Sequence, residues 1–545
     1  MLAMTGISMV IGGSMNCLSV TMIKRIACSL LLLAAISKAS YGLDATVVTK
    51  SGALKGTGVG VMSFKGIPYA AAPVGRLRWR PPEDPPQWSN IRDASQFGPQ
   101  CPQPQRQVAG LSGGGQSPTS EDCLTLNVWT PARTAADRLP VMVWIHGGGF
   151  YVGSGSSPAY DGEALSRRGV VIVTLNYRLG ALGFLAHPAL SRESARGVSG
   201  NYGLLDQIAA LRWVHDNIAQ FGGDPADVTV FGRSAGAYSI CVLTVSPSAR
   251  GLFRRAIMQS LPIMFQPALR LRTETAGFRS AESLGQAKAA DIGALRAMSA
   301  DEIVEHLAPG PTLSNETHFY PIVDGWVLPG DPTDLIGTQR QAAVPILIGY
   351  NADEGNFFLA EAPKSISGYE AFVRGKFGGP QLESILAMYP AKTDADAAAA
   401  LTRFFGDYEI LTSTVLTARA MARVSNVHVY QFSRVGPRTR RLWNGAAHSA
   451  ELPYMFDHVT TPSEDFELQD KAVSEAMAGA WVAFAKTGNP NGPGLPEWPS
   501  YRQPAYRYLN FSDSITADSG FRESQIEFCG RLLEKLRRNS SGLTH

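Results

Sequence analysis

This sequence lacks a strong charge of either sign. Its 545 residues carry 49 basic and 46 acidic side chains. Lys24, Arg25 and Lys38 precede residue 43 and no acid does, so removing residues 1–42 leaves 46 of each. There is no basic run interleaved with aromatics, and nothing in the charge favours nucleic acid or an anionic membrane surface as a partner. Histidine and cysteine are scarce, at nine and six, and none of their spacings suits a zinc site; no metal is expected. No apolar run spans a bilayer comfortably, and there is no internal repeat or long linker. What remains is 45% hydrophobic content, enough for a large core. Length alone allows about three domains, but a single catalytic domain over 43–545 with elaborated loops is the reading adopted.

Residues 1–42 read as an export signal. Met22-Ile23-Lys24-Arg25 is a positive start, 26–36 is apolar, and Ser37, Ala39, Ser40 and Gly42 supply small residues near a cleavage point. Residues 1–21 fit poorly before such a signal, which puts the start at Met15 or Met22. A disordered or anchoring N-terminus is the alternative. Cys28 does not follow the apolar run, so a lipoprotein anchor is not expected. The expected location is secreted or periplasmic, without stable membrane insertion once the signal is removed. Export permits disulfides, and Cys101 with Cys123 would close a Gly/Ser/Gln-rich loop. Cys241 lies in an apolar helical run and reads as a buried thiol; Cys529 has no evident partner.

Apolar β-type runs occur at 141–145, 170–175, 228–231, 344–348 and 427–432, with helical periodicity at 204–218. This alternation predicts an α/β protein with a mainly parallel central sheet and helices on both faces. The more polar stretch 262–320 is expected to pack as an insertion over the sheet edge.

The chemistry centres on Gly232-Arg233-Ser234-Ala235-Gly236, which follows the run 228–231 and precedes a helical stretch. A nucleophile exposed on a sharp strand-to-helix turn needs small neighbours, because side chains there would meet adjacent backbone. A second Gly-x-Ser-x-Gly surrounds Ser112, but with no strand before it and no helix after it. It is read as a chance match. His146-Gly147-Gly148-Gly149-Phe150 follows the run 141–145 and offers closely approaching backbone amides. Gly148, Gly149 and Ala235 are the expected oxyanion donors.

From these motifs onward the sequence resembles the type-B carboxylesterases, the cholinesterase and para-nitrobenzyl esterase family, with the α/β-hydrolase fold. The likeness runs from about residue 45 to about 510. It is carried by Phe64-Lys65-Gly66-Ile67-Pro68-Tyr69-Ala70, by Glu121-Asp122-Cys123-Leu124-Thr125-Leu126-Asn127, by Asn176-Tyr177-Arg178 and by Phe221-Gly222-Gly223-Asp224-Pro225. The resemblance implies that Glu354, in Asn351-Ala352-Asp353-Glu354-Gly355, is the third carboxylate, with Asp353 as the alternative. It places the base on His448, within Asn444-Gly445-Ala446-Ala447-His448. The order Ser234, Glu354, His448 suits this fold. The resemblance also implies a Cys101–Cys123 disulfide, a small-molecule ester substrate, no cofactor and an acyl-enzyme mechanism.

One position departs from the family pattern: Arg233 stands where a glutamate is usual, while the acid three places after the histidine is kept as Glu451. Two readings follow. Either Arg233 turns to Glu451 in a partly buried ion pair, or its guanidinium faces the pocket and favours carboxylate-bearing esters. The competing functions are a non-catalytic binding protein of the same fold, and cleavage of amides, carbamates or thioesters by the same residues.

Overall fold

The computed structural model describes residues 43–105, 118–262, 268–274, 279–308, 319–359, 363–461 and 463–541. The expected export segment and the chance match around Ser112 lie outside the described residues. Strands β1 (Thr46–Thr49), β2 (Gly52–Lys55) and β5 (Arg92–Asp93) form a small sheet. The principal sheet contains β3 (Thr57–Val59), β4 (Val61–Pro68), β6 (Thr125–Thr130), β7 (Leu139–Ile145), β8 (Val171–Leu175) and β9 (Gly223–Arg233). It continues through β10 (Arg255–Gln259), β11 (Ile346–Asn351), β12 (Val427–Phe432), β13 (Arg507–Phe511) and β14 (Ile515–Ser519). Its order is β14-β13-β12-β11-β10-β9-β7-β8-β6-β4-β3. The pairs from β8 to β13 are all parallel, and antiparallel strands close both edges.

The continuous apolar runs follow from burial on both faces. In β7, Val141, Val143 and Ile145 enter one core, while Met142 and Trp144 enter the other, as the two-residue period of a strand requires. Helices Tyr202–Asn217 and Ala235–Val245 cover the first face through Leu204, Ile208, Ile240 and Leu243. Helix Leu468–Thr487 covers the second through Met477, Trp481 and Phe484. Because the central strands are parallel, β7, β9, β10 and β11 end on the same side. Loops that follow such strands form the usual site of chemistry in open α/β sheets.

The segment expected over the sheet edge lies elsewhere. Its described part forms helices Ala281–Lys288, Ile292–Ala297 and Ala300–His306. It packs on the loops after β7 and β8: Ala300–His306 contacts helix Gly180–Phe184, and Tyr151 accepts a hydrogen bond from the Phe319 amide at 2.5 Å. Arg78 anchors it further, donating to the Met298 carbonyl at 2.9 Å. The physical reason is that the edges are already occupied by antiparallel strands, whereas the strand ends leave apolar loop surface to cover.

Cys101 and Cys123 form a disulfide across 22 residues of sequence, whereas Cys241 and Cys529 are buried free thiols. Burial raises both thiol pKa values, that of Cys529 to about 12, so neither is a reactive thiolate. Cys529 meets the Tyr389 hydroxyl at 3.6 Å. A closed loop of this size stabilises the fold by about 3 kcal/mol in the chain-entropy account. Replacing both Cys101 and Cys123 with serine is expected to lower the urea midpoint accordingly, and an unchanged midpoint would refute that contribution. Among the described residues no helix is long and apolar enough to cross a membrane.

Candidate active site

Strand β9 ends at Arg233, and Ser234 turns the chain directly into helix Ala235–Val245. Ser234 adopts φ 59° and ψ −124°, a conformation that non-glycine residues rarely occupy. The turn holds because its neighbours are small. A Cβ on Gly236 would stand 2.0 Å from the Ile145 carbonyl oxygen of the adjacent strand. The turn is tied to β10 as well, since the Ser234 amide donates to the Gln259 carbonyl at 2.9 Å.

Strand β7 pairs with β9 so that Ile145 lies opposite Gly232, and the glycine loop therefore emerges beside Ser234. A Cβ on Gly147 would be 3.0 Å from the Ser234 Cβ. Gly148, at φ +113°, leaves no room for a side chain: a Cβ there would be 2.0 Å from the Val152 carbonyl oxygen. His146 is stacked on Tyr177 at 4.4 Å between centroids, and the Tyr177 hydroxyl donates to the His146 carbonyl at 2.9 Å. Burial lowers the His146 pKa to about 4, with Arg233 adding to the effect. That imidazole is neutral and braces the loop.

Glu354 follows β11 and is buried. One of its oxygens accepts from the Ser260 hydroxyl at 2.6 Å and from the Asn351 amide at 2.8 Å. The other meets His448 Nδ1 at 2.6 Å. The neighbouring Asp353 accepts instead from the Ala446 amide at 3.0 Å, which fixes the loop carrying His448. Phe357 and Phe358 flank the imidazole at 5.7 and 4.7 Å. His448 Nε2 is buried with no hydrogen-bond partner. Burial lowers the His448 pKa; Glu354 opposes that shift and Arg233 adds to it.

The expected Arg233–Glu451 ion pair is not formed. The Glu451 oxygens are taken by Gln259 Nε2 at 3.0 Å and Asn351 Nδ2 at 2.6 Å, and burial pushes its carboxyl toward the neutral form. Gln259 is itself held by Trp481 Nε1 at 3.2 Å. Sequence reasoning missed Gln259 and Ser260. Gln259 ends one short strand, β10, and Ser260 follows it; the first residue of β10, Arg255, is charged and ion-paired to Asp227, which obscures the apolar run. Asn351 stands within the acid segment but gave no sign of its two roles.

A cavity of about 600 Å³ opens near Asp353, Glu354, Arg403, Asp407 and Arg522, but neither Ser234 nor His448 lines it. Among the described residues no cluster of histidine, cysteine, aspartate or glutamate is arranged to hold a metal ion.

Comparisons with known proteins give the family. The sequence profile of the carboxylesterase family matches residues 43–529. The chain is 39% identical over 495 residues to fumonisin B1 esterase of Sphingopyxis macrogoltabida, covering 88% of this chain and 89% of that protein. It is 36% identical over 485 residues to para-nitrobenzyl esterase of Bacillus subtilis (strain 168), covering 87% and 96%. A solved PNB esterase structure superposes with a TM-score of 0.74 at 34% identity, covering 89% of this chain and all of that one. With a profile match over nearly the whole described chain and the α/β-hydrolase fold in place, this chain belongs to the carboxylesterase family.

Proposed function

We propose that Ser234, His448 and Glu354 carry out carboxylic-ester hydrolysis in this chain through an acyl-enzyme. His448 Nε2 takes the Ser234 hydroxyl proton as Oγ attacks the ester carbonyl. Glu354 keeps the remaining ring proton on Nδ1 and stabilises the imidazolium. The amides of Gly148, Gly149 and Ala235 receive the oxyanion, the Ala235 amide belonging to the unsatisfied first turn of its helix. His448 then gives the proton to the departing alcohol, and water repeats the sequence on the acyl-enzyme.

The observation that carries this reading is the state of His448. Its Nδ1 is held by a buried carboxylate while Nε2 is buried and unpartnered. The same dipeptide, Gln259-Ser260, binds the Ser234 amide through one residue and Glu354 through the other. Other buried histidines also leave a ring nitrogen unpaired, but among the described residues His448 alone has its opposite nitrogen on a buried carboxylate, an arrangement that a non-catalytic binding protein would not need. We also take 43–545 as the catalytic domain and 1–42 as an export signal, a reading supported by the disulfide. The protein is then secreted or periplasmic.

A serine-directed phosphonate is expected to label the folded protein once, at Ser234, with loss of hydrolysis in parallel. Labelling at Ser112 instead would refute the assignment. The pH profile supplies a second check. Hydrolysis needs neutral His448, and burial holds its pKa below the usual histidine value. Activity is therefore full above that value and persists to lower pH than an ordinary histidine would allow, falling only as pH drops through the depressed pKa. An acid limb in kcat/KM centred above the usual histidine pKa would contradict this.

A further inference from the structure

Among the described residues, five arginines are buried: Arg78, Arg178, Arg233, Arg255 and Arg434. Four are ion-paired, to Glu121, to Asp206, to Asp227, and to Glu467, Asp470 and Asp513 respectively. Arg233 has no such pair. It is only 7% exposed, and its Nε and Nη1 are buried without hydrogen-bond partners. A buried cation without a counter-charge is strongly disfavoured, whereas a paired one is tolerated.

Its position gives the missing charge a source. Arg233 directly precedes Ser234, and its Nη1 lies 3.3 Å from where a Cβ on Gly147 would stand, beside the Ser234 Cβ. Ser234 is itself only 6% exposed, so each of the two residues keeps a small accessible area. Glu451 makes no direct ion pair with Arg233: its oxygens accept from Gln259 and Asn351, and Arg233 acts on it only through space, opposing the burial that raises its pKa. A guanidinium presents a planar fork that matches a carboxylate.

We propose that Arg233 is a subsite for a substrate carboxylate, so that the esters best cleaved carry a free carboxylate on their acid or alcohol part. This rests on Ser234 being the nucleophile. The substrate carboxylate completes the ion pair that the fold leaves open, and it does so next to the reacting carbonyl.

Two matched pairs of esters test the idea on the full-length protein. One pair is the phenyl monoester of glutaric acid and its primary amide; the other is the acetate ester of 3-hydroxybenzoate and that of 3-hydroxybenzamide. Arg233→Gln is expected to lower kcat/KM for the carboxylate member of at least one pair about tenfold more than for its neutral partner, with Arg233→Lys retaining part of the preference. That ratio corresponds to ~1.4 kcal/mol. The responding pair identifies the side of the ester that Arg233 holds. Equal losses within both pairs would overturn the subsite. Should Arg233→Gln fail to fold, inhibition of the native protein decides: free glutarate is expected to compete with neutral ester far better than its diamide, and equal inhibition overturns the proposal. Failure of the nucleophile reading looks different, as cleavage of none of the four esters together with no phosphonate label on Ser234.

Discussion

Ser234→Ala is expected to lower kcat for ester hydrolysis by a factor on the order of 10⁴ or more, the scale seen when the nucleophile of a serine hydrolase is removed. The loss should be confined to chemistry. The Ser234 side chain makes no capping hydrogen bond to helix Ala235–Val245, so alanine removes no cap. The strained backbone at φ 59° is unchanged, because alanine and serine share the same Cβ. Thermal unfolding should therefore match the parent protein, and binding of a slowly hydrolysed ester should survive. Ser112→Ala serves as the control and should retain nearly full activity. Substantial hydrolysis by Ser234→Ala at an unchanged unfolding temperature would mean that another group attacks the ester.

The second large effect is expected from Glu354→Gln. Glu354 accepts three hydrogen bonds, from Ser260, from the Asn351 amide and from His448 Nδ1. Glutamine keeps the size but has one acceptor oxygen. If that oxygen satisfies Ser260 and Asn351, the amide nitrogen faces His448 and donates to Nδ1. The imidazole must then carry its proton on Nε2, the wrong tautomer for taking a proton from serine. A kcat loss on the order of 10³–10⁴-fold follows, by analogy with the acid-to-amide change in other serine triads. KM should move little, since Glu354 does not contact substrate in the proposed mechanism. Asp353→Asn provides the contrast. Asp353 binds the Ala446 backbone rather than the imidazole, so its loss should loosen the histidine loop and reduce stability more than it changes the tautomer. If Asp353→Asn costs more in kcat than Glu354→Gln, the roles of the two acids are reversed.

The parts of this protein legible in the sequence are those set by near neighbours in the chain. Residues 141–145 and 427–432 read as buried strands because their apolar character is continuous, and β7 and β12 stand there. The turn at Ser234 was visible because its glycines answer a local demand, room for the Ile145 carbonyl. Strand β10 was not visible, being five residues long with a charged start.

His448 and Glu354 are 94 residues apart, and composition alone gives no reason to join them; the family resemblance suggested the pairing, and the fold brings them within hydrogen-bond distance. The polar character of 262–320 was legible and its described part forms helices, yet its resting place depended on which surfaces the rest of the chain left uncovered. Arg233 shows the limit most clearly. Its charge and its place before Ser234 are properties of the sequence, as is the presence of Glu451 three residues after His448. Whether the two would pair was decided only in three dimensions. Gln259 and Asn351 occupy the Glu451 oxygens first, because the ends of β10 and β11 converge there. The sequence by itself determined the fold class, the elbow and the residues available for chemistry. The tertiary structure decided which carboxylate meets the imidazole and left Arg233 without a direct ion pair, since hydrogen-bond partners are chosen by competition among groups that only folding brings together.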